Sequence, residues 1–169
     1  ASLAGHSFRV YSMAWSPDGI HLAAASDDST AQIWDTTTGE TTTTLTGHTA
    51  SVASVDWSPD GSRLATASQD RTVRIWDTAM SQTANTTLIG HTRPVNSVAW
   101  SPDDHHIASA GDDYTTRIWD ATSGQSISLT GHTGQVISVA WSPDSHYLAT
   151  TSWDQTVRIW DTTTYQVTK

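Results

Sequence analysis

A fourfold rhythm constrains this chain more than any other feature. His6, His48, His91 and His132 each follow a glycine, and 22 residues after each stands an aspartate: Asp28, Asp70, Asp113 and Asp154. A Trp-Asp pair comes 28 residues after each histidine, beginning at Trp34, Trp76, Trp119 and Trp160. A Trp-Ser-Pro-Asp block begins nine residues after each, at Trp15, Trp57, Trp100 and Trp141. The histidines lie 41–43 residues apart, so four copies of one unit fill nearly all of the 169 residues. Only the stretch from Trp-Asp to the next Gly-His changes length, with 14, 15 and 13 residues from Trp to His. Variation confined to one connection marks an exposed loop between pinned elements.

The second copy shows how one unit folds. Val52-Ala53-Ser54-Val55-Asp56-Trp57 has apolar residues near period 2, as a half-buried strand requires. Ser58-Pro59-Asp60-Gly61 is a turn, in which proline pre-sets φ and glycine tolerates a positive φ. Arg63 to Ser68 reads as a second strand with small residues on both faces, suited to lie between neighbouring sheets. Gln69-Asp70-Arg71 is a tight turn, Thr72 to Trp76 a third strand, Asp77 to Asn85 a polar loop, and Thr86 to Leu88 a short fourth strand. A lone four-stranded sheet of this size cannot bury both faces, so the units must stack into an all-β array. The units run over about residues 5–46, 47–89, 90–130 and 131–169, with residues 1–4 completing a fourth strand.

Composition narrows the partners. There is no cysteine, so disulfides and thiolate-bound metals are excluded. The formal charge is −9, from 17 acidic and 8 basic residues, with a single lysine at position 169. Phosphate backbones and anionic membranes call for clustered Lys and Arg, so neither nucleic acid nor membrane is expected as a partner. No apolar run approaches the length of a membrane span and no leader pattern is visible, so the chain reads as soluble and cytoplasmic.

These motifs resemble the WD40 family of β-propellers, and the resemblance covers essentially the whole chain. It implies four-stranded blades and a hydrogen-bond chain in each, from the turn Asp to the His, to a Ser or Thr of the second strand, to the Trp indole. Carried onto this sequence, the chains are Asp70-His48-Thr66-Trp76, Asp113-His91-Ser109-Trp119 and Asp154-His132-Thr150-Trp160. The serine two residues beyond the assigned hydroxyl is a rival in three copies. The first copy departs: Ala24 stands at the hydroxyl position, so Asp28-His6-Trp34 lacks a middle link unless Ser26 or water supplies it.

Asp, His and a hydroxyl in one place are also what nucleophilic catalysis requires. A hydrolase is nonetheless the most distant reading. The trio recurs in every unit, its hydroxyl would be engaged by an indole N–H, and no strained Gly-x-Ser-x-Gly elbow accompanies it. His21, His105, His106 and His146 gather at the turn between the first two strands. Adjacent His105 and His106 point to opposite faces of a strand, which suits turn residues better than metal ligands, and no cofactor is expected. Arg74, Arg117 and Arg158 at the centre of the third strand read as a solvated face near aspartates.

What varies between copies points to a surface. The resemblance implies that partners dock on the loops before the first strand and between the second and third. Phe8, Arg9, Tyr11, Arg93 and Asn96 lie at the first of these, and Asp27, Gln69, Asp112 and Trp153 immediately precede the turn aspartate at the second. Eight of the nine tryptophans occupy recurring positions, and Trp153 is the exception, which makes it the leading hot-spot candidate. The expected function is therefore a non-catalytic scaffold for a protein or peptide. The alternative is a purely structural or engineered self-assembling propeller module without a ligand.

Rings of this family usually carry seven or eight blades, and four leave two apolar flanks open. Nine residues follow Trp160 and six run from Ala1 to His6, so joining end to start gives an interval of 15, inside the observed range. The expectation is a homodimer in which Gln166-Val167-Thr168 of one chain and Ser2-Leu3-Ala4 of the other share a blade edge, and the alternative is a piece of a longer natural array with further blades. Such a head-to-tail contact closes an eight-bladed ring.

Overall fold

Each Ser-Pro-Asp turn reverses the chain after a strand that ends in tryptophan, and the sheets follow one another along the sequence. The computed structural model describes residues 2–79 and 86–168. The first antiparallel sheet holds β1 (Val10–Trp15), β2 (His21–Ser26), β3 (Ala31–Asp35) and β4 (Thr41–Leu45) in that order. The second holds β5 (Val52–Trp57), β6 (Arg63–Ser68), β7 (Thr72–Asp77) and β8 (Thr86–Ile89). The third holds β9 (Val95–Trp100), β10 (His106–Gly111), β11 (Thr116–Asp120) and β12 (Ser126–Leu129). The fourth holds β13 (Val136–Trp141), β14 (Tyr147–Ser152) and β15 (Val157–Asp161), and Val167 adds one antiparallel bridge to Trp160. Most of the polar loop read after Asp77 lies outside the described residues. Among the described residues no helix is long and apolar enough to cross a membrane. Ser2-Leu3-Ala4, read as a closing strand, forms no strand within the chain.

Burial follows the alternation along the strands. One face of the first blade presents Ala23, Ala25, Ala31, Ile33 and Leu45 to Val52, Val55, Trp57, Leu64 and Trp76 of the second. The same arrangement joins the second blade to the third and the third to the fourth. Small residues on the second strand let successive sheets approach closely, which explains why Ala65, Ala67, Ala108 and Ala110 are fully buried. The tryptophan that ends the first strand binds across the junction: Trp57 Nε1 donates to the Ala14 carbonyl at 3.0 Å and Trp141 Nε1 to that of Ala99 at 3.1 Å. At the middle junction Asp56 replaces the alanine, and its carboxylate accepts the Trp100 backbone N–H at 2.7 Å.

Every first strand begins with a register shift that leaves one residue unpaired: Tyr11, Ala53, Asn96 and Ile137. Such bulges re-aim a side chain at the rim of a sheet. Tyr11 and Asn96, both candidates from the sequence, thus sit at bulges rather than in regular pairing.

Candidate functional site

The recurring polar residues come together in one continuous chain per blade. In the second blade Trp76 Nε1 donates to Thr66 Oγ1 at 2.8 Å, the Thr66 hydroxyl donates to His48 Nε2 at 2.8 Å, and His48 Nδ1 donates to Asp70 at 2.7 Å. The indole can only donate, which fixes the direction of every bond after it. Ser109 links Trp119 to His91 with 2.8 Å on each side, and His91 reaches Asp113 at 2.9 Å. Thr150 links Trp160 at 2.9 Å to His132 at 2.8 Å, and His132 reaches Asp154 at 2.7 Å. The rival serines do something else: Ser68 and Ser152 accept the backbone N–H of Asp70 and Asp154.

A further member went unnoticed in the sequence. Thr30, Thr72, Thr115 and Thr156 each donate a hydroxyl to the turn aspartate, at 2.6, 2.7, 2.7 and 2.6 Å. The signal was present as Asp-x-Thr in all four copies. The residue between lies at a left-handed φ of 67–75° in each blade, at Ser29, Arg71, Tyr114 and Gln155, so the turn carries some strain. Backbone N–H groups of Ser7, Thr49, Thr92 and Thr133 complete the carboxylate shells. Burial alone would push the Asp70 and Asp113 carboxyls up. Bonds from His48 and Thr72, and from His91 and Thr115, outweigh it and hold both well below the usual range. The same balance sets Asp28 at about 2, and at Asp154 the Thr156 bond leads in lowering it.

In the first blade His6 binds Asp28 at 2.8 Å, but its Nε2 is buried with no hydrogen-bond partner among the described residues. Ser26 does not fill the gap left by Ala24, because its oxygen accepts the Asp28 backbone N–H at 3.2 Å. Trp34 Nε1 turns instead to the Ala4 carbonyl at a long 3.4 Å.

The central arginines correct the sequence reading. Arg74, Arg117 and Arg158 are not on a freely solvated face: their Nε atoms are buried. A Cβ added at Gly47, Gly90 or Gly131 would meet their Nη1 atoms at 2.7, 2.7 and 2.9 Å. The guanidinium therefore occupies the space that the glycine of each Gly-His pair leaves free. Arg117 also donates to Ser126 at 3.0 Å.

Thr66, Ser109 and Thr150 are fully buried and already accept an indole N–H, an arrangement unlike that of an exposed, activated nucleophile. What the polar chain does is fix a loop and a sheet to each other in a dry interior. The family model described as WD domain, G-beta repeat matches residues 1–35, 39–77, 82–120 and 124–161. This chain belongs to the WD40 family. A comparison with curated protein sequences returned no match. WD40 repeats generally serve as non-catalytic scaffolds for protein interactions.

On the loop face of this WD40 chain, Phe8 is 67% exposed, Tyr11 49% and Trp153 70%. Trp153 is presented by fixed backbone: its N–H binds the Gln135 carbonyl at 2.9 Å, as Asp27, Gln69 and Asp112 bind those of Arg9, Ser51 and Pro94. Tyr114, exposed beside Asp113, adds an aromatic that the sequence did not single out. Other candidates are engaged within the chain. Asn96 donates to Asp112 at 2.7 Å and to the Val136 carbonyl at 2.9 Å, and Asp27 accepts the Ser51 hydroxyl. Arg9 and Arg93 are exposed, as is Gln69. Among the described residues no group of three or more His, Asp or Glu side chains is placed to hold a metal ion.

Proposed function

We propose that this chain is a non-catalytic scaffold that binds a protein or peptide segment on its loop face, with Trp153 as the anchor on the last blade and Phe8, Tyr11, Arg9, Gln69 and Arg93 as further contacts along the same face of the earlier blades. One observation carries the reading. Trp153 exposes a large apolar ring from a backbone held like that of its three counterparts, which are Asp27, Gln69 and Asp112. A rigidly presented aromatic loses little entropy when a partner covers it. Asn96, Asp112 and Asp27 serve chiefly to brace the loops beneath. Peptides selected on the intact chain from a displayed random library test this. Trp153→Ala is expected to weaken the selected binders by at least about tenfold while leaving the melting temperature unchanged. Unchanged binding rejects the site, and a large loss of stability makes Trp153 a core residue.

The working unit in this reading is a pair of chains closing an eight-bladed ring. Its support is the pair of apolar faces at either end of the array, where Met13 is 69% and Val157 66% exposed. The same faces also favour the second reading, a self-assembling module without a ligand, for which the peptide selection would yield no binder that depends on Trp153.

A further inference from the structure

We infer that the cleft between the first two blades, at the end of the array opposite the loop face, binds an arginine side chain of a basic partner peptide, seated between His21 and Trp57. The site is separate from the Trp153 surface and independent of it.

The cleft has a volume of about 330 Å³, between Asp18, His21 and Ile33 of the first blade and Trp57, Asp60 and Gly61 of the second. Its counterpart at the next junction is filled by the chain itself. Arg63 holds in β6 the position that His21 holds in β2, six residues after the tryptophan and opposite the aspartate of the third strand. Its guanidinium carbon lies 4.6 Å from the centre of the Trp100 ring. Its Nη2 donates to the Asp104 carbonyl at 3.3 Å and to the Asp104 carboxylate at 3.4 Å. The second junction thus shows which group such a cleft takes, a planar cation over an indole. At the first junction the shorter imidazole of His21 binds Asp18 at 3.3 Å instead. Gly61 stands where Asp104 stands one blade on, which keeps the cleft open and leaves Asp18 and Asp60 as its carboxylates. Bonds from the Ser16 hydroxyl and the Ile20 N–H hold the Asp18 carboxyl at about 2, and bonds from Ser58 and Ser62 hold that of Asp60 below its usual range. Both are therefore charged at neutral pH.

The distribution of charge points to the same ligand. The turns that carry Asp18, Asp60, Asp103, Asp104 and Asp144 share this end with the aspartates that close the third strands. Among the described residues Arg63 is the one arginine there, and it is already paired. Arg9, Arg71 and Arg93 are exposed on the loop face, while Arg74, Arg117 and Arg158 have buried Nε atoms in the central strands. A negative end with low-dielectric cleft walls draws in a cation rather than an acidic group.

Titration of the intact chain with an acetylated and amidated Gly-Ser-Arg-Ser-Gly peptide, read at the Trp57 indole N–H resonance, tests this. A saturable shift is expected. The citrulline peptide, planar but uncharged, should give none, and the lysine peptide should bind about tenfold more weakly. His21→Arg places the chain's own guanidinium over Trp57 and should cut binding by at least about tenfold. Gln125→Arg adds the same charge at an exposed position of the same end and should bind within about twofold of wild type. Asp60→Asn, which keeps an acceptor for the Ser58 and Ser62 bonds, should weaken binding by at least about threefold. Trp153→Ala should bind this peptide as wild type does. The assignment falls if no saturable shift develops up to about 5 mM peptide. It falls equally if the citrulline or lysine peptide matches the arginine one, if either cleft variant binds normally, or if His21→Arg and Gln125→Arg lose the same amount. Dependence on Trp153 would move the peptide to the loop face and overturn it too.

Discussion

A hydroxyl at one position decides whether two buried ring nitrogens are satisfied. In blade two Thr66 accepts from Trp76 and donates to His48, and all three are buried. Thr66→Val keeps the shape but strands both nitrogens away from water. Unpaired buried groups cost about 1–3 kcal/mol each, so a loss of at least about 2 kcal/mol is expected in urea unfolding. Blade one supplies the reverse experiment. Ala24 lies next to the hollow beside His6, so a larger side chain has room there. Ala24→Thr should rebuild the link between His6 and Trp34 and raise stability by about 1 kcal/mol. No gain, together with no loss from Thr66→Val, would show that the polar chain does not contribute to stability. The matching arginine–glycine contact explains why Gly precedes His48, His91 and His132: a Cβ there meets the guanidinium, and at Gly5, before His6, it meets the Gln32 side chain instead.

At the scale of the strand pair, the middle junction differs from its neighbours through Asp56. Burial pushes its carboxyl up, and the bonds from the Trp100 and Trp57 backbone N–H groups only partly oppose this. A folded-state pKa above the unfolded one means that its contribution is fully present below the unfolded pKa and is lost as pH rises through the folded value. The turn aspartates have the opposite sign: their contribution is present above the unfolded pKa and is lost as pH falls through the folded one. Asp56→Ala restores the residue found at Ala14, Ala99 and Ala140. The melting-temperature advantage of wild type over this variant should therefore be smaller near about pH 8 than near about pH 4, and an advantage that grows with pH would contradict the assignment. Strand order was legible in the sequence, because fixed spacing leaves few ways to pair the units, and the resemblance to the WD40 family implied the main links of the polar chains in the last three blades. Asp56 shows what was not legible: alternation within β5 gives no sign that its carboxylate crosses to the backbone of β9. The Arg–Gly contacts were hidden for the same reason, since a central strand arginine looks solvated until the neighbouring turn folds over its guanidinium. Asp-x-Thr was visible but lacked an assigned partner.

For the whole molecule, stability should grade along the array. In a stack each blade is held by its neighbours, so the free energy is close to a sum of blade and junction terms. Blades two and three have both faces covered, whereas blades one and four each keep one face open. The consequence is directional. In dilute solution, amide hydrogen exchange should be slowest in β6, β7, β10 and β11, and faster in β2, β3 and β14, although all seven strands are paired on both edges. If two chains close the proposed ring, raising the concentration should slow exchange in the outer blades and leave the middle ones nearly unchanged, because only the outer faces gain a neighbour. A uniform protection pattern at all concentrations would mean that the four blades open as one unit and that a covered face adds little. A gradient that persists unchanged at high concentration would mean that nothing seats on the open faces. Hydrogen exchange thus reads the energetic worth of a junction directly, in an array whose described blades meet at three covered junctions.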